Sequence, residues 1–207
     1  MNRIKNIIFD LGGVLLDLDV NRCMERLEEV GLREVRQWMT GTNEQGFFKE
    51  YECGTLTTDQ FRDRICKEVG RELPGEEIDQ IWNAMLKDIP DYKFELLLKL
   101  QENYKLYLLS NTNDLHWEHC ADKFVYKGMQ MLGCFTRVFL SYQMHLAKPD
   151  AEIFRTVLKE AGIKAEETLF VDDSKDNCQA ASLLGIKVFH YVPGDNLEIQ
   201  LQNFISK

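Results

Sequence analysis

No two cysteines in this chain of 207 residues stand at CxxC spacing; the six are Cys23, Cys53, Cys66, Cys120, Cys134 and Cys178. A chain of this length needs no covalent staples, and scattered thiols pack as small apolar groups, so reduced cysteines in a cytoplasm are expected. No apolar run reaches the roughly 18 residues of a bilayer span. The start, Met-Asn-Arg-Ile-Lys, resembles the basic end of a secretory leader, but the apolar run behind it breaks at Asp10. Proline is scarce, at 4, and glycine modest, at 13, which excludes collagen and low-complexity linker. Basic residues are outnumbered, 25 against 34 acidic ones, for a net charge of -9, and they form no run. Neither nucleic acid nor a membrane surface is therefore an expected partner. What is present is 44% hydrophobic residues, enough for one ordinary core and a small satellite. A cytoplasmic monomer or weak homodimer is the expectation.

The apolar residues fall into two regimes. Ile4, Ile7, Ile8 and Phe9 form a short run that ends in Asp10 and opens onto Gly12-Gly13, as a central parallel strand does. From residue 21 to about 90 the spacing is helical, in segments near 21–30, 43–53, 58–69 and 76–87. Phe61, Ile65 and Val69 recur every fourth residue, Thr57 or Thr58 is placed to cap that helix, and Gly70 to end it. Beyond Pro90 helix and strand alternate: helix 91–102, strand 104–109, strand 138–140, helix 150–161, strand 168–171, helix 175–184, strand 187–189 and helix 196–205. Strands separated by helices predict an α/β fold, a Rossmann-like parallel sheet with helices on both faces. Residues 1–18 and 91–207 form this core, and 19–90 an all-helical cap inserted in the first crossover, over the strand ends.

Chemistry in a parallel sheet gathers at the C-terminal strand ends. Here one strand ends in Asp10, one in Ser110-Asn111 and one in Asp172-Asp173, while Lys148-Pro149 follows another. Each alone is ordinary strand-stopping chemistry; four at one edge are not. Adjacent carboxylates at a strand end also repel each other, which favours a bound cation.

These stretches resemble the four motifs of the haloacid dehalogenase-like superfamily: Phe9-Asp10-Leu11-Gly12-Gly13-Val14-Leu15, Leu109-Ser110-Asn111, Lys148-Pro149-Asp150 and Phe170-Val171-Asp172-Asp173-Ser174. The resemblance implies that Asp10 is a nucleophile carrying an aspartyl-phosphate. It implies Mg²⁺ held by Asp10, the Gly12 carbonyl and Asp173, with Asp172 as ligand or support. Ser110 would bind a phosphoryl oxygen with Asn111 beside it, Lys148 would hold Asp10 and the phosphoryl group together, and Asn177 would position the last loop. The implied partner is a small phosphorylated metabolite. Physically, Mg²⁺ and Lys148 offset the repulsion between a carboxylate nucleophile and a phosphate dianion.

One position departs from the phosphatase pattern. An aspartate acting as acid and base normally stands two residues after the nucleophile, and here Gly12 does. This variant, residues 9–19 with Asn21-Arg22, is similar to the α-D-glucose-1-phosphate phosphatase branch, whose anomeric leaving group needs less protonation. His116, Asp17 and Asp19 are candidate replacements for the acid/base by position. His119 and Cys120 read as structural, Glu25, Glu28 and Glu29 as a solvated face. Trp38, Phe47, Phe48, Tyr51, Trp82 and Met85 read as cap core, or as the cap wall of a cleft. A non-catalytic binding or regulatory protein on the same fold is the alternative that Gly12 raises. A metal-independent 2-haloacid dehalogenase is the alternative that the Asp172-Asp173 pair disfavours.

Overall fold

The computed structural model describes residues 3–36 and 46–205. Among them a five-stranded sheet runs β5-β2-β1-β6-β7, all pairs parallel. Its strands are β1 (Asn6–Phe9), β2 (Lys105–Ser110), β5 (Phe135–Leu140), β6 (Thr168–Asp172) and β7 (Lys187–His190). β1 lies at the centre with both faces covered, which is why Asn6–Phe9 is buried at every position. The two-residue period of a strand divides its side chains. Ile7 and Phe9 join one core with Leu106, Leu108, Leu169 and Val171. Ile8 joins the opposite one with Tyr107, Leu109 and Phe170.

Helices α5 (Asp91–Gln101) and α10 (Leu197–Ile205) close the first face through Phe94, Leu97, Leu197 and Leu201. The second face is closed by α8 (Ala151–Ala161), with Ile153, Phe154 and Val157, and by α9 (Lys175–Leu183), with Ala181. Asp150 caps α8 by accepting from the Glu152 N–H at 2.9 Å, so that helix begins one residue later than its spacing predicts. A two-stranded hairpin, β3 (Val125–Tyr126) and β4 (Met129–Gln130), follows α6 (Asp114–Ala121). Strands of two residues are too short to show a period, and the sequence did not reveal them.

The cap is helical as expected: α1 (Val20–Glu29), α2 (Phe47–Glu52), α3 (Thr58–Val69) and α4 (Gly75–Trp82), the last running into a tight turn over Asn83–Met85. Thr57 and Gln60 make a reciprocal capping box at the start of α3. The chain crosses between core and cap twice, and the crossings pair with each other. Lys87 N–H bonds the Asp17 carbonyl at 2.9 Å and Asp19 N–H the Met85 carbonyl at 2.7 Å, with Leu18 opposite Leu86.

Phe61 organises the cap interior. Its ring is stacked 4.2 Å from Tyr51 and lies 5.1 Å from Trp82, 5.7 Å from Phe47 and 6.1 Å from Phe48. These residues and Met85 are buried, so they form the cap core, and Trp82 and Met85 also line the cavity toward the sheet edge; Trp38 lies outside the described residues. Phe61→Ala leaves a void that four rings cannot collapse to fill, and should cost about 3–5 kcal/mol. Urea unfolding read by tryptophan fluorescence checks this, and a loss under about 1 kcal/mol would contradict the packing.

Candidate active site

Asp10 follows β1 directly. Its N–H bonds the Val171 carbonyl at 2.9 Å, so the β1–β6 ladder continues one residue and sets Asp10 beside Asp172, the last residue of β6. Lys148 arrives from the loop after α7 (Ser141–Met144). Its ammonium lies 2.8 Å from Asp10 Oδ1 and 2.7 Å from Asp172 Oδ2, and donates to the Leu109 carbonyl at 3.2 Å. All three residues are sequestered, at 3%, 8% and 0% exposure for Lys148, Asp10 and Asp172. Burial opposes the charge on Lys148, yet the two carboxylates hold its pKa above the ordinary lysine value. The same burial pushes the Asp10 carboxyl up to about 7, against the opposing pull of Lys148, and Asp172 pushes it further. Leu11 N–H also bonds Asp10 Oδ1, at 2.7 Å, so Oδ2 is the oxygen without a hydrogen bond among the described residues.

Around this ion triad each neighbour has one task. Asn177 Nδ2 donates to both oxygens of Asp172 at 3.1 Å, and Ser174 N–H donates to Oδ1 at 2.8 Å. With Lys148 on Oδ2, both oxygens of Asp172 are engaged, which makes it a support for the loop more than an open ligand. Asp173 is half-buried, and burial followed by the Asp172 charge raises its pKa. Its carboxylate lies against Gly13, where a Cβ would collide with it; Gly13 also has φ +77°, so a glycine is required twice over. Asn111, expected to bind substrate, lines the cavity and also serves the backbone of the lysine. Its Nδ2 donates to the Lys148 carbonyl and its Oδ1 accepts from the Lys148 N–H, both at 2.9 Å. Those bonds fix the backbone of the lysine and leave the amide its second N–H.

One oxygen from each of Asp10, Asp172 and Asp173 lies within 4.8 Å of the others. Three carboxylates against one ammonium leave negative charge uncompensated, and the Asp172 charge adds to the larger effect of burial in raising the pKa values of Asp10 and Asp173. The Gly12 carbonyl accepts no hydrogen bond from the described residues. Hard oxygen donors in this charge state fit a small divalent cation. Such an ion would supply electrostatic neutralisation of an anionic substrate.

Above the triad a cavity of about 130 Å³ separates core from cap. Leu11, Gly12, Leu16 and Leu18 line it from the first loop, Ser110, Asn111 and Thr112 from the second, and Glu52, Trp82, Met85 and Leu86 from the cap side. Of the three candidate acid/base residues, only His116 borders it. Asp17 is half exposed and paired at 2.8 Å with the buried Lys93, while Asp19 caps α1 through the Arg22 N–H and faces Lys87. His116 is locked in place. Its Nε2 bonds the Trp82 carbonyl at 3.2 Å, its Nδ1 faces Asn113 Nδ2 at 3.3 Å, and its ring stacks 4.7 Å from Trp82. One tautomer satisfies both contacts, with Nε2–H donating and Nδ1 accepting, and burial pushes its pKa down to about 4. Glu52 was not singled out by the sequence, where it stands as one acidic residue at the end of a short helix.

A family model described as haloacid dehalogenase-like hydrolase matches residues 4–185. A D-ribitol-5-phosphate phosphatase of Bacteroides thetaiotaomicron is 35% identical over 188 residues, 90% of this chain and 91% of that protein. A HAD family enzyme of the same organism, solved in complex with magnesium and inorganic phosphate, is 42% identical. It superposes with a TM-score of 0.88 over 95% of this chain and 98% of that one. A predicted HAD-like family hydrolase of Porphyromonas gingivalis, 29% identical, reaches a TM-score of 0.91 over the whole of both chains. The chain belongs to the haloacid dehalogenase-like hydrolase family. Within it, the chain is a phosphatase.

His116 gives a pH test of cap docking. Its folded pKa of about 4 lies below the unfolded 6.5, so the unfolded chain takes up the proton first. The contribution is complete above pH 6.5 and is lost as pH falls from there toward 4, by up to about 3 kcal/mol. His116→Gln should therefore show a shallower loss of stability between pH 6.5 and 4 than the parent. Equal slopes in parallel denaturation series would sink this assignment.

Proposed function

We propose that this chain is a Mg²⁺-dependent phosphomonoesterase that works through an aspartyl-phosphate on Asp10. The observation that carries the reading is the buried Asp10–Lys148–Asp172 triad, with Asp173 beside it, beneath the cavity between core and cap. Asp10 Oδ2 attacks phosphorus while Lys148 and Leu11 N–H hold Oδ1. Lys148 lies where it can offset charge on both the nucleophile and the phosphoryl oxygens. Ser110, at the end of β2, donates to a phosphoryl oxygen. Asp10, the Gly12 carbonyl and Asp173 hold Mg²⁺, and Asp172, fixed by Asn177 and Ser174, keeps Lys148 in position. Residues 19–90 act as the cap that excludes bulk water.

We further read the substrate as a small sugar or polyol phosphate. The cavity has room for about four waters, enough for a short carbon chain and too little for a nucleotide without opening. The relative named for D-ribitol 5-phosphate supports this class. An aldose 1-phosphate, which the Gly12 variant suggests, is the second chemistry to compare. The two differ in leaving group, since a primary alkoxide needs protonation more than an anomeric oxygen does.

Two measurements test the proposal. Chelation should abolish hydrolysis of p-nitrophenyl phosphate and Mg²⁺ should restore it; full activity in a verified metal-free sample rules the metal out. Asp10→Asn keeps the shape but loses the attacking charge. It should lower turnover at least about a hundredfold, and no phosphoryl group should be trapped on it. Near-parent turnover would remove Asp10 as nucleophile.

A further inference from the structure

We propose that His190, on the edge strand β7, is a positioning residue for the magnesium site: it holds the main chain of Asp173 and so sets where that carboxylate stands. The inference rests on the metal reading above and extends it to a residue outside the four motifs. β7 is the outer strand of the sheet, and His190 is its last residue, paired with Asp172 at the end of β6. The ladder runs one bond further, from the Tyr191 N–H to the Asp172 carbonyl at 3.0 Å. At Asp173 the chain bends away toward α9. A side chain takes over where the ladder stops: His190 Nε2 lies 2.9 Å from the Asp173 carbonyl. A carbonyl only accepts, so Nε2 carries the hydrogen and donates it.

The peptide between Asp173 and Ser174 is thereby held at both ends. Its C=O accepts from His190, and its N–H donates to Asp172 Oδ1 at 2.8 Å. Asp172 is itself anchored by Lys148 and Asn177. A continuous set of bonds therefore runs from the buried ammonium to the edge strand, and the bend at Asp173 lies in the middle of it. The Asp173 carboxylate accepts from its own main-chain N–H, and on its other side Gly13 leaves it space that a Cβ would fill. Side chain and main chain thus form one unit. Freeing the carbonyl lets the bend shift, and the carboxylate shifts with it, away from the positions that bring it within 4.8 Å of oxygens of Asp10 and Asp172.

A small divalent cation tolerates little error in where its oxygen ligands stand. Groups that hold a ligand from behind are accordingly worth about 10–100-fold in metal affinity or activity. Gly13 and Asp172 hold Asp173 from the nucleophile's side of the sheet, and His190 holds it from the edge. The chemistry required of position 190 is a single N–H at the end of a side chain of this length. Glutamine can present one at a similar reach, whereas phenylalanine keeps the ring and lacks the donor. The two substitutions separate the hydrogen bond from the packing.

The test measures Mg²⁺ binding directly, by titration calorimetry on the metal-stripped full chain, for the parent, His190→Phe and His190→Gln. His190→Phe should bind Mg²⁺ at least about tenfold more weakly, and His190→Gln should stay within about threefold of the parent. Thermal midpoints of the metal-free proteins should agree within about 4 °C, the scale of one lost hydrogen bond in a chain of this size. The rise in midpoint at a fixed Mg²⁺ concentration should be smaller for His190→Phe. If His190→Phe does not fold, His190→Ala carries the same expectations. An affinity in the donor-lacking variant within about threefold of the parent overturns the proposal. So does a His190→Gln as weak as His190→Phe, which makes the ring rather than its N–H the requirement. A metal-free midpoint that falls much further than 4 °C in both donor-lacking variants makes His190 a residue of the fold and overturns it too. In each of these cases a parent that binds Mg²⁺ leaves the metal reading standing. A parent that binds none defeats that reading, and this inference with it.

Discussion

The site depends on one buried ammonium. Lys148 reaches Asp10 and Asp172 at once, and neither carboxylate is easily kept ionised at that depth without it. The arrangement constrains the fold on three sides. β1 and β6 must be neighbours, so that Asp10 and Asp172 end side by side. The loop after β5 must return across the sheet edge, which the two Asn111 bonds to the Lys148 main chain secure. The loop after β6 must hold Asp172 from behind, which Asn177 and Ser174 do. Removing the ammonium would strand two buried carboxylates, so fold and chemistry fail together at this residue.

Charge explains the second feature, the mismatch of three carboxylates with one cation. A protein selected only for stability would gain by deleting one of them. Asp173 is the carboxylate with no ion pair to Lys148 among the described residues, and it sits where Gly13 gives it room. Its cost in repulsion makes sense if a divalent cation offsets it.

Much of this was legible in the sequence, and the legible part has a common physical basis. Strand ends are marked by abrupt change, from Ile-Ile-Phe to Asp10 and from Leu-Phe-Val to Asp172, so the sheet edge and its polar residues could be read off one after another. The helical cap was legible from the four-residue spacing of Phe61, Ile65 and Val69. What escaped were partnerships, because they depend on where side chains land after folding. Asn111 stands beside Ser110, and its amide also holds the Lys148 backbone. Asp17 and Asp19 stand near the nucleophile in sequence, but Lys93, Lys87 and the α1 terminus engage them. His116 borders the cavity with both nitrogens committed.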